Sequence, residues 1–144
     1  MRKSISQTKR NSVRYQSSVS PKKKGFQSSI YFCHYKNGMY MGGINAFQKH
    51  GKGIVIHDNG ISALTNYYND LKHGHNIFYM ENCLISAEFI KNKCKEAVFR
   101  IPGFLLFMKY NKDQQPEGRC VLLNYSTKTI IYASFRKGSM IEKS

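Results

Sequence analysis

The sequence predicts an all-β fold, built as an array of short antiparallel hairpins and preceded by an extended basic arm. The apolar runs of the chain are about four residues long, rich in β-branched and aromatic residues, and separated by Gly or Asn. Hydrophobic residues make up 41% of the 144 residues and aromatic residues 13%. This composition excludes a wholly disordered chain, and the length is that of one domain.

The arm is predicted to span residues 1–25. Residues 1–24 hold eight Lys or Arg and no Asp or Glu, so they carry +8 of the total charge of +15. Isolated apolar residues there follow neither strand nor helix periodicity. Such a segment gains by meeting nucleic acid, anionic lipid or an acidic protein lattice such as tubulin. The residues predicted to make this contact are Arg2, Lys3, Lys9, Arg10, Arg14, Lys22, Lys23 and Lys24.

Two short motifs in the arm are typical of kinase sites. Residues 20–23 read Ser-Pro-Lys-Lys, which makes Ser20 a candidate for proline-directed phosphorylation. The same four residues are similar to basic units of linker-histone tails that lie in narrow minor grooves. Residues 9–12 read Lys-Arg-Asn-Ser, a basophilic pattern that makes Ser12 the second candidate. A phosphate at either serine would remove up to about two charges and weaken an anionic contact.

Residues 26–144 are predicted to form the hairpin domain. Short apolar runs at 30–33, 53–56, 77–80 and 121–123 have the length of strands, and one stretch, 87–98, has the composition of a short helix. Half-buried strands are expected where apolar residues alternate with polar ones. The residues expected to be mostly buried are Phe32, Tyr40, Ile44, Ile54, Ile56, Tyr67, Ile77, Tyr79, Phe89, Val121 and Phe135.

A spacing of 23 residues relates two parts of this domain. The run 51–56 begins with Gly-Lys-Gly and an apolar triplet, and the run 74–79 begins with Gly-His-Asn and another apolar triplet. A similar run starts at residue 118. Each unit reads as strand, glycine turn, strand and turn, because glycine tolerates the positive φ that tight turns need. The glycines predicted to serve the repeats in this way are Gly42, Gly51, Gly53, Gly60, Gly74 and Gly118.

Residues 40–60 resemble one MORN repeat (membrane occupation and recognition nexus). The family pattern is Tyr-x-Gly-x-aromatic, then Gly-x-Gly and a later Gly, over about 23 residues. The residues that match it are Tyr40, Gly42, Gly51, Gly53 and Gly60. Ile44 replaces the aromatic residue, and later units keep fewer glycines. The resemblance covers roughly residues 30–140 and implies a single-layer sheet of stacked hairpins. It also implies a binding role, since MORN proteins without an enzyme domain recur in cilia, radial spokes and protist cytoskeletons.

The sequence contains no motif that predicts catalysis, a metal site or a cofactor. It has no Walker sequence, no dinucleotide fingerprint and no paired carboxylates at a useful spacing. The histidine pair His73 and His75 has no third ligand at a recognisable spacing. We therefore expect a protein that is not an enzyme and needs neither metal nor cofactor. The cysteines are widely spaced and expected to be buried or half-buried free thiols: Cys33, Cys83, Cys94 and Cys120.

Two classes of function remain. The first is a structural adaptor of a ciliary, axonemal or other microtubule-based assembly, located in the cytoplasm and cytoskeleton, with tubulin or axonemal proteins as partners. The second is a ribonucleoprotein component, for example a ribosome-associated one, whose arm contacts RNA phosphates. No apolar run approaches the roughly 18 residues of a transmembrane span. The acid-free start lacks the apolar block of a secretory signal.

Overall fold

The computed structural model describes residues 15–16, as backbone, and residues 30–144, and it places one antiparallel sheet in hairpin order. The predicted all-β fold is confirmed. The rest of the predicted arm, with its eight basic residues and with Ser12 and Ser20, lies outside the described residues. The strands are β1 (Tyr15–Gln16), β2 (Tyr31–Tyr35), β3 (Gly38–Asn45), β4 (Gln48–His57), β5 (Ser62–Tyr68), β6 (Leu71–Lys72), β7 (Gly74–Met80), β8 (Cys83–Ile90), β9 (Lys93–Ile101), β10 (Phe104–Lys109), β11 (Gly118–Asn124), β12 (Thr129–Arg136) and β13 (Ser139–Lys143).

Every strand pairs with its neighbour in the chain, except that β5 pairs both with the short β6 and with β7. Antiparallel neighbours need only short turns, so the chain runs back and forth as a meander. The stretch 87–98, whose composition allows a short helix, instead forms the end of β8, a turn at Lys91 and Asn92, and the start of β9. Within the described residues there is no helix with the length and apolarity of a membrane span.

Two-residue turns recur along one side of the sheet, and their spacing defines the repeat. In the described part they lie at 46–47, 69–70, 91–92 and 137–138, and both residues of each turn have positive φ. Positive φ at both central residues is the type I′ geometry, whose twist matches that of the flanking strands. Between the third turn and the last one, the equivalent position is Gln114, whose φ is +61°. It lies in the longer connection between β10 and β11. The repeat is therefore a spacing between equivalent turns, most of which contain Asn, Asp or Lys instead of Gly.

Hydrogen bonds tie the later of these turns to the preceding unit. Asp70 Oδ1 accepts from the backbone N–H of Lys49 at 2.8 Å, and the backbone N–H of Asp70 donates to the Lys49 carbonyl at 2.9 Å. This exchange fixes the register between successive hairpins. The same side-chain bond to a backbone N–H recurs between Asn92 and Lys72 at 2.6 Å and between Gln114 and Cys94 at 2.7 Å.

We predict that Asn92→Ala lowers the free energy of unfolding by about 1–2 kcal/mol. The substitution removes the acceptor of the Lys72 N–H and puts alanine at a φ of +65°. Asn92→Asp keeps the acceptor and tolerates this backbone conformation, so it should cost much less. Urea unfolding of both variants measures the difference. Equal losses in the two variants would show that the turn hydrogen bond contributes nothing.

All buried side chains of the described residues lie on one face of the sheet, which we call the Tyr40 face. The strand pairings place them side by side, because cross-strand partners share a face. The core cluster at the N-terminal end centres on Tyr40, with Val55 and Tyr67 beside it. The residues with buried side chains are Cys33, Tyr40, Val55, Ala63, Thr65, Tyr67, Asn76, Ala87, Ala97 and Cys120, and Gly42 is buried among them.

The predicted core is correct only in part. Tyr40 and Tyr67 are buried, whereas Phe32, Ile56 and Tyr79 are 39%, 45% and 38% exposed. These three side chains lie on the other face, since successive residues of a strand alternate between faces. The remaining predicted core residues are half-buried: Ile44, Ile54, Ile77, Phe89, Val121 and Phe135.

Candidate functional site

The Tyr40 ring packs directly on Gly42 and Gly53, and this packing explains why these two positions are glycine. A Cβ atom would lie 2.5 Å from Tyr40 Oη if added to Gly42 and 2.3 Å from Tyr40 Cε2 if added to Gly53. Tyr40 is fully buried, and its hydroxyl donates to the Gly43 carbonyl at 2.8 Å. Gly42 and Gly53 therefore lie opposite each other inside β3 and β4, and not in turns.

The other predicted repeat glycines all have positive φ. Gly60 lies in the turn between β4 and β5, with φ of +85°. Gly51 lies within β4, whereas Gly74 and Gly118 are the first residues of β7 and β11, and their φ values are +73°, +76° and +80°. These positions need glycine for its backbone freedom, in contrast to Gly42 and Gly53, which need its small size.

Burial raises the pKa of Tyr40 to about 12, and the nearby Tyr67 and Asp70 add to the shift. The folded state therefore binds the Tyr40 proton more tightly than the unfolded chain does. This contribution to stability is fully present below about pH 10 and is lost as the pH rises from 10 to 12. Burial also raises the pKa of Tyr35 and Tyr67, which extends the same trend.

We predict a fall in the free energy of unfolding between pH 10 and pH 12, measured by urea unfolding at fixed ionic strength. Tyr40→Phe keeps the ring but removes the ionisable hydroxyl and its bond to the Gly43 carbonyl. The variant should be less stable at pH 8 and should lose less stability between pH 10 and 12. A fall as steep as that of the unchanged protein would contradict the assignment to Tyr40.

The face opposite Tyr40, which we call the Ile54 face, carries a continuous apolar row. One residue from each of ten adjacent strands belongs to it, and consecutive members are cross-strand partners. None of the ten side chains is buried, and Phe32 and Leu64 are 39% and 45% exposed. We call this set the apolar row: Phe32, Met41, Ile54, Leu64, Ile77, Ser86, Val98, Phe107, Val121 and Tyr132.

At its N-terminal end the apolar row forms the floor of an open cleft of about 670 Å³. The floor consists of apolar row members from β3, β4, β5 and β7. Lys52, His50 and His75 line the same cleft, so its polar edge is basic or neutral. Such a surface accepts an apolar side chain of a partner and favours acidic residues around it.

The cysteines are free thiols, as the sequence predicts. Cys33 and Cys120 are buried, and burial raises the pKa of both thiols and of Cys94. A raised pKa disfavours the reactive thiolate, so these side chains serve packing. In the described part of the chain, no group of three or more His, Cys, Asp or Glu is placed to hold a metal ion. His75 instead faces a carboxylate, and its Nδ1 lies 3.9 Å from Glu88 Oε2.

No protein-family model matches the chain, and no curated protein matches it at a significant level. The resemblance to MORN repeats therefore stays a prediction. The surface of the sheet and the charge of the chain are the grounds on which a function can be proposed.

The apolar row is the functional feature that sequence reasoning missed. Its signal is present in the C-terminal half, where residues 104–108 and 121–123 are apolar at every position. Strands that are apolar on both faces are typical of sheets covered on both sides. In a single-layer sheet, such strands leave one apolar face for a partner.

Proposed function

We propose that the protein is a non-enzymatic adaptor subunit of a large microtubule-based assembly, such as a cilium or axoneme. The apolar row is the observation that carries this proposal. Nine of its ten members are apolar, and the row crosses ten strands without any of its side chains being buried. A continuous apolar surface of this extent favours association, because burial removes it from water.

The charge of the chain supports an acidic protein as the partner. The residues after the arm carry +7 and the arm carries +8, so a second copy of the chain would be repelled. The floor of the cleft is aliphatic, with Met41, Ile54, Leu64 and Ile77. It therefore suits apolar side chains of a protein better than nucleic-acid bases, which stack on aromatic rings. A protein surface with apolar side chains surrounded by acidic ones complements this face best.

A microtubule lattice fits the predicted role of the arm. An acidic lattice attracts an acid-free segment of eight basic residues, while the apolar row packs on a protein surface of the same lattice. The resemblance to MORN repeats supports the same setting, since small members of that family recur in cilia and cytoskeletons. The proposed location is accordingly the cytoplasm, on the cytoskeleton.

Co-sedimentation with microtubules tests the proposal. We compare the full chain with a variant in which the eight basic residues of the arm are replaced by Gln, at matched salt. A second control shuffles residues 1–24 apart from positions 15–16 and so keeps the charge of the arm. We expect the full chain and the shuffled variant to pellet and the neutral variant to stay largely in solution, because the attraction is electrostatic.

RNA binding measured beside it decides between the two classes of function. Weak binding to unrelated RNAs, together with pelleting on microtubules, supports the adaptor. Tight RNA binding without pelleting on microtubules would overturn it and favour a ribonucleoprotein component.

A further inference from the structure

Two lysines on the Tyr40 face lie against aromatic rings at equivalent positions of successive repeats. Lys49 Nζ is 5.0 Å from the centre of the Tyr67 ring and 5.4 Å from that of Tyr40. Lys72 lies 23 residues later, and its Nζ is 5.5 Å from the centre of the Phe78 ring. The rings attract the ammonium groups and hold them over the sheet, so that they do not extend into water.

Both lysines line the same groove, which has a volume of about 300 Å³. Its walls include Tyr35 and Phe78, and Asp70 lies at the same groove. Both lysines are half-buried. The groove therefore combines two positive charges with aromatic walls on the face opposite the apolar row.

The two positive charges have no carboxylate partner at ion-pair distance among the described residues. The ion pair in that part of the chain joins His75 and Glu88, and the Asp70 carboxylate accepts the backbone N–H of Lys49. Burial and the charge of Lys49 lower the pKa of Lys72. The fold thus holds a charged Lys72 at a cost in free energy that a bound anion would remove.

We infer that this groove binds a carboxylate side chain of an acidic peptide segment, with Lys49 and Lys72 as its charged contacts. The aromatic walls suit the methylene groups of a glutamate. The negative charge of Asp70 at the groove disfavours a doubly charged phosphate more than a singly charged carboxylate. This site goes beyond the proposed function, because it does not depend on which assembly contains the protein or on the apolar row.

The test is the binding of a fluorescent octaglutamate peptide, followed by anisotropy, to the full-length chain whose eight basic arm residues are replaced by Gln, so that the arm does not bind the peptide. The double variant Lys49→Gln, Lys72→Gln is compared with Lys91→Gln, Lys112→Gln, which removes the same charge from exposed positions. We expect affinity to fall by about tenfold or more in the first variant and by about twofold in the second. Lys49→Arg, Lys72→Arg keeps both charges and should retain most of the affinity.

A direct readout accompanies the affinities. In a carbon-proton correlation NMR spectrum, the nearby rings should give the Cε groups of Lys49 and Lys72 unusual chemical shifts. These chemical shifts should change when the peptide binds. Equal losses of affinity in the two Gln variants, or unchanged chemical shifts, would overturn the inference. Displacement of the peptide by inorganic phosphate at millimolar concentration would overturn the choice of a carboxylate.

Discussion

Replacing Gly53 by alanine should lower the free energy of unfolding by about 3 kcal/mol. The new Cβ atom would lie 2.3 Å from Tyr40 Cε2, a distance that real contacts do not reach. The ring has little room to move, because Tyr40 is fully buried and its hydroxyl is bonded to the Gly43 carbonyl. Overpacking of a dense core typically costs about 1–3 kcal/mol, and a fixed ring puts this site at the upper end. Urea unfolding measures the loss.

Gly51→Ala is the matched control on the same strand. No atom lies within 4 Å of a Cβ at Gly51, so this substitution carries only the strain of a φ of +73°, about 1 kcal/mol. In a Tyr40→Ala background the clash at Gly53 disappears, and Gly53→Ala should then cost much less. Equal costs for Gly53→Ala in both backgrounds would contradict the packing explanation for the glycine pattern.

Polar substitution in the apolar row should weaken pelleting on microtubules by more than about tenfold. Phe32 and Leu64 are suitable sites, because both are exposed and their replacement by Gln should cost little stability. The loss of affinity follows from burying polar amides in the centre of an apolar contact. Co-sedimentation of Phe32→Gln, Leu64→Gln at several microtubule concentrations gives the affinity.

The control for this variant is Ile90→Gln, Met140→Gln. These two side chains are similarly exposed, 45% and 57%, but they lie outside the apolar row. We expect the control to bind within about twofold of the unchanged protein. If both variants bind equally well, the apolar row is not the contact surface, even where the basic arm still attracts the chain to microtubules.

The fold class could be predicted from the sequence because short β-branched runs and glycine spacing are local signals. The 23-residue spacing between Gly51 and Gly74 correctly predicted the repeat length. The two glycines occupy equivalent positions, since they have nearly the same positive φ. The turns themselves were missed. Asn69, Asp70 and Asn92 adopt the left-handed conformation that glycine was expected to supply. The side chains of Asp70 and Asn92 also accept backbone N–H groups of the preceding unit.

The choice of the buried face could not be predicted. Val55 lies between Ile54 and Ile56, and all three are apolar, so the sequence does not indicate which face of the sheet is buried. The packing of the Tyr40 ring on Gly42 and Gly53 decides it. Packing between strands also decides the conformation of residues 87–98. Their composition allows a helix, but Ala87 and Ala97 pair across β8 and β9 and pack on the Tyr40 face.

The groove of Lys49 and Lys72 also could not be predicted from the sequence. The two lysines share the repeat spacing with many other pairs of residues. Their distinction comes from the rings beneath them, and Tyr40, Tyr67 and Phe78 come from three different strands. Contacts between side chains of different strands depend on register, which the sequence specifies only through the turns.

Hydroxyl-radical footprinting of the full chain, free and bound to microtubules, shows directly whether the apolar row becomes buried in the assembly. We predict that oxidation of Phe32, Met41 and Leu64 falls strongly on binding, whereas Tyr125 and Met140, which are 49% and 57% exposed and lie outside the row, keep their reactivity. Unchanged oxidation of the row in the bound state, with protection confined to residues 1–24, would contradict the account.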